Sequence, residues 1–142
     1  MNEYFWNLAQ VSAQIANEEH PDVIDPKWIL SQWHHETGDF TSEMCNDYHN
    51  LGGLTQTTPN DTPQPDGDYW YMQFATFEDY ASYFGKYLKY YEENGIFNST
   101  CLEDYVYDHR VQAILKRILK IYHFSSTFIS LVRGIRGGNF IN

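Results

Sequence analysis

Ile29-Leu30-Ser31-Gln32-Trp33-His34-His35-Glu36-Thr37-Gly38-Asp39-Phe40 and, a little further on, Asn50-Leu51-Gly52-Gly53-Leu54-Thr55 are the two runs from which the rest of this chain can be understood. The first reads as an apolar helix that opens at Asp25-Pro26, with aspartate as N-cap and proline in the first helical position. It carries the chain to Glu36 and stops at Gly38. Ile29, Gln32, Trp33 and Glu36 recur at spacings of three and four, so they share one face. A carboxylate on the buried face of a helix, between Trp33 and Phe40, is costly to desolvate while ionised. Such groups tend toward raised pKa values, which suits a general acid near neutral pH. The plain alternative is a last-turn glutamate that rotates into solvent.

Outward from this helix, residues 3–18 read as another, with Tyr4, Leu8, Val11 and Ile15 on one face. Residues 41–49 read as polar loop or short helix. A hairpin lobe is expected over about 54–74. Its first strand would be Leu54 to Thr58, and its second Asp68 to Phe74, where aromatic residues alternate across the two faces. Between them lies a long acidic tip dense in turn formers, Pro59-Asn60-Asp61-Thr62-Pro63-Gln64-Pro65-Asp66-Gly67. Thr76-Phe77-Glu78-Asp79 resembles a capping box and opens a helix to about Asn94. Its stripe is Phe77, Tyr80, Phe84, Leu88 and Tyr91, and Gly95 ends it. Thr100-Cys101-Leu102-Glu103 is a second capping box. The helix it starts continues through Val111, Ile114, Leu115, Ile118 and Tyr122, and residues 127–133 add a short last one. The fold class predicted is α+β, mostly helical, in a single domain over residues 1–142.

The chain has nineteen acids against nine lysines and arginines, a formal net charge of −10. All the acids precede residue 109, and the last segment carries six bases and no acid. Those bases alternate with Ile and Leu at helical spacing, which predicts a solvated helix face on an acidic body. The overall acidity disfavours nucleic acid as a partner. No apolar run approaches membrane-spanning length, so no membrane insertion is expected. No signal peptide is read at the N-terminus. Cys45 and Cys101 have no zinc spacing, and either one disulfide or two free thiols fits the sequence. Adjacent His34 and His35 point about 100° apart on a helix. No His-Glu-x-x-His spacing occurs. Neither metal nor cofactor is expected, and the histidines read as hydrogen-bonding groups in or beside a cleft.

Gln32-x-x-x-Glu36-x-Gly38 followed by Asn50-Leu51-Gly52-Gly53-Leu54 resembles the motif pair of the peptidoglycan N-acetylglucosaminidases of glycoside hydrolase family 73. There a helix ends in Gln-x-x-x-Glu-Ser-Gly, and an Asn-Leu-Phe-Gly-Ile-Lys run follows. Here Thr37 stands for the serine, Gly52 for the phenylalanine and Thr55 for the lysine. The likeness covers roughly residues 25–91, with an echo in Tyr107-Asp108-His109-Arg110-Val111. It implies a lysozyme-like fold with a cleft between a helical body and a β-lobe.

In that reading Glu36 is the general acid that protonates the glycosidic oxygen. The family's second acid sits in the hairpin, before a Phe-Arg-x-Tyr run whose place is taken by Phe74-Ala75-Thr76-Phe77. Counting back puts Asp61 closest, with Asp66 and Asp68 as rivals. Tyr71 or Tyr80 would substitute for the missing tyrosine. Gln32, Asn50, Trp70, Tyr71 and Tyr80 are the candidates to line a sugar-binding cleft, each with a core or loop-capping alternative. Peptidoglycan glycan strands are the expected partner of a monomeric protein acting on cell wall. Export would come by a holin, in a virion, or as part of a longer chain, after a cytoplasmic stage. Two alternatives remain open: a catalytically silent glycan-binding or structural domain of the same fold, and a muramidase.

Overall fold

The computed structural model describes residues 2–65 and 67–106. The continuation through Val111 to Tyr122 of the helix begun at Thr100, the short helix over 127–133, the Tyr107 to Val111 echo and the basic segment all lie outside the described residues. So does Asp66.

The described architecture is α+β and mostly helical: α1 (Glu3–Ala16), α2 (Pro26–Glu36), α3 (Glu43–Tyr48), β1 (Thr55–Gln56), β2 (Trp70–Tyr71), α4 (Phe77–Lys89) and α5 (Leu102–Val106), with two 3₁₀ turns, Glu92–Asn94 and Ile96–Asn98, before α5. The helix starts follow local chemistry. Asn2 caps α1 by accepting from the amides of Tyr4 and Phe5, Asp25 caps α2 at Lys27 N, and Thr76 caps α4 at Asp79 N. Each satisfies an amide that the first turn leaves without a helical partner. At α5 the reciprocal partner is shifted by one residue. Asp104, not Glu103, accepts from the Thr100 amide and hydroxyl, at 3.2 and 3.1 Å.

The buried face of α1 is not the one its largest apolar residues suggest. Phe5, Leu8, Ala9, Ser12, Ala13 and Ala16 are buried, whereas Tyr4 and Val11 are 46% and 40% exposed. The cause is the close approach of α4, the main packing partner of α1. A Cβ built on Gly85 would lie 2.7 Å from the Ser12 carbonyl and 2.8 Å from the Ile15 Cβ. Only a small-residue face lets the backbones meet, and the Ser12 hydroxyl closes the contact by donating to Ala81 O at 2.7 Å. On α4 the expected stripe is buried at Tyr80, Phe84 and Leu88, joined by Ala81 and Gly85. This helix ends at Lys89, sooner than expected, and one 3₁₀ turn carries the chain to Gly95, which adopts φ +88°.

At the centre Trp33 is fully buried and meets Tyr80 and Phe84 edge-on, both at 5.5 Å between ring centroids. Ile24, Ile29, Leu51, Leu88, Ile96 and Tyr105 complete this core. Burying one large apolar side chain of this kind stabilises a fold by about 1.5–3 kcal/mol.

The hairpin is present but its strands are two residues each, antiparallel, with Thr55 opposite Tyr71 and Gln56 opposite Trp70. Side chains do much of the pairing that a longer ladder would do. Asn60 Nδ2 and Thr62 Oγ1 both donate to Tyr71 O, and Tyr71 N donates to Pro63 O. The first half of the proline-rich tip is therefore pinned along β2. Among the described residues, no helix is long and apolar enough to cross a membrane.

Candidate functional site

The end of α2 is built by Thr37. Its hydroxyl donates back to Trp33 O at 2.7 Å and accepts from Phe40 N at 2.8 Å. Its carbonyl takes the amides of Thr41 and Ser42, both at 3.0 Å. Within this loop Gly38, Asp39 and Phe40 adopt φ of +55°, +60° and +60° in succession. Left-handed backbone costs a non-glycine residue on the order of 1 kcal/mol or more, and a run of three needs support from its surroundings. Part of that support comes from the Phe40 ring, which stacks on Phe5 at 4.1 Å. The result is an abrupt corner that holds Glu36 at the helix terminus.

Glu36 is half-buried, and its Oε1 is shielded from solvent. The Tyr80 ring is close enough for the glutamate's charge to act on its phenol. Burial pushes the Tyr80 pKa well above 10.0, and the charges of Tyr105, Tyr87 and Glu36 add to that. The Trp33 indole N–H pulls the other way. The two atoms do not meet full hydrogen-bond geometry, so both count as buried polar atoms without a well-formed bond.

The second run packs onto the same place. Asn50 is fully buried, and its side chain is consumed by the backbone. Nδ2 donates to Leu54 O and Met72 O, both at 2.9 Å, and Oδ1 accepts from Leu54 N at 3.0 Å. Asn50 thus closes its own turn and hooks it to the chain just after β2. Of the two roles considered for it, loop capping is the one its bonds describe. Gly52 sits under Tyr80, where a Cβ would lie 2.6 Å from the phenol oxygen. Gly53 turns the chain at φ +64°, and a Cβ there would lie 3.9 Å from the Tyr71 ring. Tyr80, the Gly52-Gly53 turn and Tyr71 therefore form one neighbourhood, and the Glu36 charge reaches the Tyr80 phenol.

The other candidates fall elsewhere. Gln32 is buried and accepts from the Tyr105 hydroxyl at 2.8 Å, tying α2 to α5. Trp70 and Tyr71 are both half-buried, and as neighbours on a strand they face opposite ways. Asp61 is exposed on the pinned loop beside β2, and Asp68 is exposed as well. Asp66 is outside the described residues.

His34 and His35 are exposed rather than set beside Glu36. His34 lies roughly 200° around the helix from it. Its Nε2 pairs with Asp39 Oδ1 at 3.0 Å. With Asn2, Leu30, Ser31 and Phe40 this pair lines a groove of about 450 Å³. That groove is on the other side of α2 from the Glu36 neighbourhood. His49 Nδ1 donates to the Phe74 carbonyl at 2.8 Å, because a carbonyl can only accept. Among the described residues no three His, Cys, Asp or Glu side chains converge as a metal site. Both cysteines are free, and burial raises the pKa of Cys45.

Reading the residues alone missed two features of this site: that Tyr80, named there as a residue to line a cleft, is fully buried, and the reason for a glycine at position 52. A signal existed for the second, since glycine there replaces a bulky residue of the motif it resembles. No family model matches this chain, and no curated protein or solved structure is similar enough to count as a match.

Proposed function

We propose that this chain is a glycoside hydrolase of lysozyme-like architecture that cleaves the β-1,4 bond after N-acetylglucosamine in peptidoglycan, with Glu36 as general acid. The observation that supports the reading is the setting of Glu36: a half-buried carboxylate at a helix terminus, one oxygen shielded, one turn beyond the fully buried Trp33 on α2. Burial of this kind keeps a carboxyl protonated to higher pH than water would, which a general acid needs. Glu36 would give its proton to the glycosidic oxygen as the bond from that oxygen to C1 breaks. The oxocarbenium-like state would be stabilised by Asp61 on the hairpin loop or by the sugar's own acetamido group. Water then adds to C1 and its proton returns to the carboxylate.

The test is Glu36→Gln, which is nearly isosteric, assayed on purified cell walls. General acids contribute roughly 10²–10⁴-fold, so release of reducing sugar should fall by that order. Undiminished release would remove Glu36 from the chemistry. Mass spectrometry of the new reducing ends distinguishes a glucosaminidase from a muramidase. Retention on peptidoglycan without any fragment released would identify a silent glycan-binding domain instead.

A further inference from the structure

We propose that the groove between the start of α1 and the outer side of α2, where His34 pairs with Asp39, is a binding site for a neutral pyranose sugar. It lies on the other side of α2 from Glu36 and does not rest on the glycosidase reading. Three parts of the chain build it: Asn2 at the cap of α1, Leu30, Ser31 and His34 on α2, and Asp39 and Phe40 on the corner that follows. Its volume of about 450 Å³ is that of a small-ligand site. The corner is what shapes it. Asp39 and Phe40 both hold φ at +60°, a conformation that non-glycine residues avoid and that persists only where the surroundings over-determine it. Phe40 is fixed by its stack on Phe5 at 4.1 Å and meets the His34 ring edge-on at 5.9 Å. Asp39 Oδ1 accepts from His34 Nε2 at 3.0 Å. The reversed backbone thus brings an aromatic ring and a carboxylate together against one histidine.

The lining selects the class of ligand. An anion is opposed by the Asp39 carboxylate and by a chain of formal net charge −10. A metal ion would need more ligands than this pair, and no three His, Cys, Asp or Glu side chains converge among the described residues. A wholly apolar ligand would cover four polar side chains with carbon, at a cost for each. A neutral molecule with donors and acceptors on its rim and carbon on its face meets none of these objections, and a pyranose is such a molecule. Asn2 Oδ1 is committed to the amides of Tyr4 and Phe5, so the group it offers a ligand is the Nδ2 donor. A carboxylate can only accept, so His34 Nε2 carries the proton of their contact, and Nδ1 of the neutral ring is an acceptor. Asp39 Oδ2 is a second acceptor, and Ser31 Oγ serves either way. Leu30 and Phe40 supply apolar surface for the C–H face of the ring. Sugar hydroxyls both donate and accept, which is what this mixed set of groups matches.

The experiment titrates the full chain, labelled with ¹⁵N-histidine, with N-acetylglucosamine, which has no glycosidic bond to cleave. A parallel titration uses inorganic phosphate, both at fixed pH and ionic strength. His34→Gln identifies the His34 ring signals. Those signals should move saturably with the sugar, with half-saturation on the order of 1 mM for so open a site, and should ignore phosphate. Asparagine tolerates left-handed backbone, so Asp39→Asn keeps the corner, and loss of the ionised acceptor should weaken binding about tenfold. Ser31→Tyr, at an exposed position of α2, should fill the groove and abolish the shifts. Glu36→Gln should leave the affinity read at His34 unchanged. Signals that do not saturate by about ten times the expected concentration would overturn the proposal, as would saturation by phosphate instead. So would Asp39→Asn and Ser31→Tyr proteins that bind as the wild type does, or an affinity at His34 that disappears with Glu36→Gln. Sugar bound at His34 by a protein that releases nothing from cell walls would refute the glycosidase reading and leave this site standing. Cleavage without any movement at His34 would do the reverse.

Discussion

The end of α2 and the hairpin carry the two kinds of carboxylate that a glycosidase would pair, yet they are held by different means. Glu36 sits where a helix terminus, a left-handed corner and the Asn50 turn converge, with one oxygen shielded. Asp61 is exposed on a loop attached to a two-residue strand by the side chains of Asn60 and Thr62. The first environment holds a side chain half out of water. The second fixes a backbone and leaves the side chain in water. An acid that must hold a proton near neutral pH belongs in the first, and a group that stays ionised is served by the second.

The largest test of this contrast is Asn50→Ala. Three hydrogen bonds vanish, two of them buried. Leu54 N and Met72 O lose the Asn50 side chain, while Leu54 O keeps the Met72 amide, so a loss of about 2–3 kcal/mol is expected in denaturant unfolding. A loss as small as that of a surface substitution would mean that the turn does not depend on Asn50. Next comes Gly52→Ala, which forces a methyl group against the Tyr80 hydroxyl and should cost about 1–3 kcal/mol. Adding Tyr80→Phe should return part of that loss, because the clash is with the oxygen, and a double variant no better than the single would place the conflict elsewhere.

On the hairpin the same kinds of change should do little. Asp61→Asn and Gly67→Ala are expected to shift stability by no more than about 0.5 kcal/mol, since Asp61 is exposed and nothing lies within 4 Å of a Cβ at Gly67. A fall in cell-wall cleavage by Asp61→Asn would then report chemistry, not unfolding. A drop in stability would erase the distinction between the two regions.

The smallest effect lies on the surface between α1 and α4, where the Tyr4 hydroxyl donates to Glu78 at 2.7 Å. That hydrogen bond, with some burial and the glutamate's charge, raises the Tyr4 pKa to about 12 from 10.0. Its stabilisation is complete below pH 10 and is lost as pH climbs through 12. The same bond lowers the Glu78 pKa, so that share is present above pH 4.5 and is lost as pH falls through the lowered value. Tyr4→Phe should flatten the alkaline limb of a stability–pH curve. An unchanged limb would show that the bond contributes nothing measurable in solution.

The parts of this architecture that could be read from the residues are those set by neighbours in the chain. Asp25-Pro26 and Thr76 start helices through their own side chains, and the Ile29, Gln32, Trp33, Glu36 face follows from helical spacing. What escaped the reading is set by partners far along the chain. The buried side of α1 turns on Gly85 of α4, which no pattern within residues 3–18 reveals. Aromatic alternation over 68–74 suggested a longer strand than Trp70–Tyr71, because the following chain is hooked to Asn50 and Tyr48 instead. At the site, Glu36 and its half-buried setting were legible. The placing of Tyr80 over Gly52 was not, since it joins α4 to a turn much earlier in the chain.

The reversed winding at Gly38, Asp39 and Phe40 also bears on how this chain tolerates changes of length. Each residue there contributes to a corner locked at both ends by Thr37 and the Phe5 ring, so one residue more or fewer would re-aim everything that follows. Peptide tags or grafted segments should be accommodated at Gln64-Pro65 or Gly67-Asp68, which are exposed, and rejected between Thr37 and Ser42.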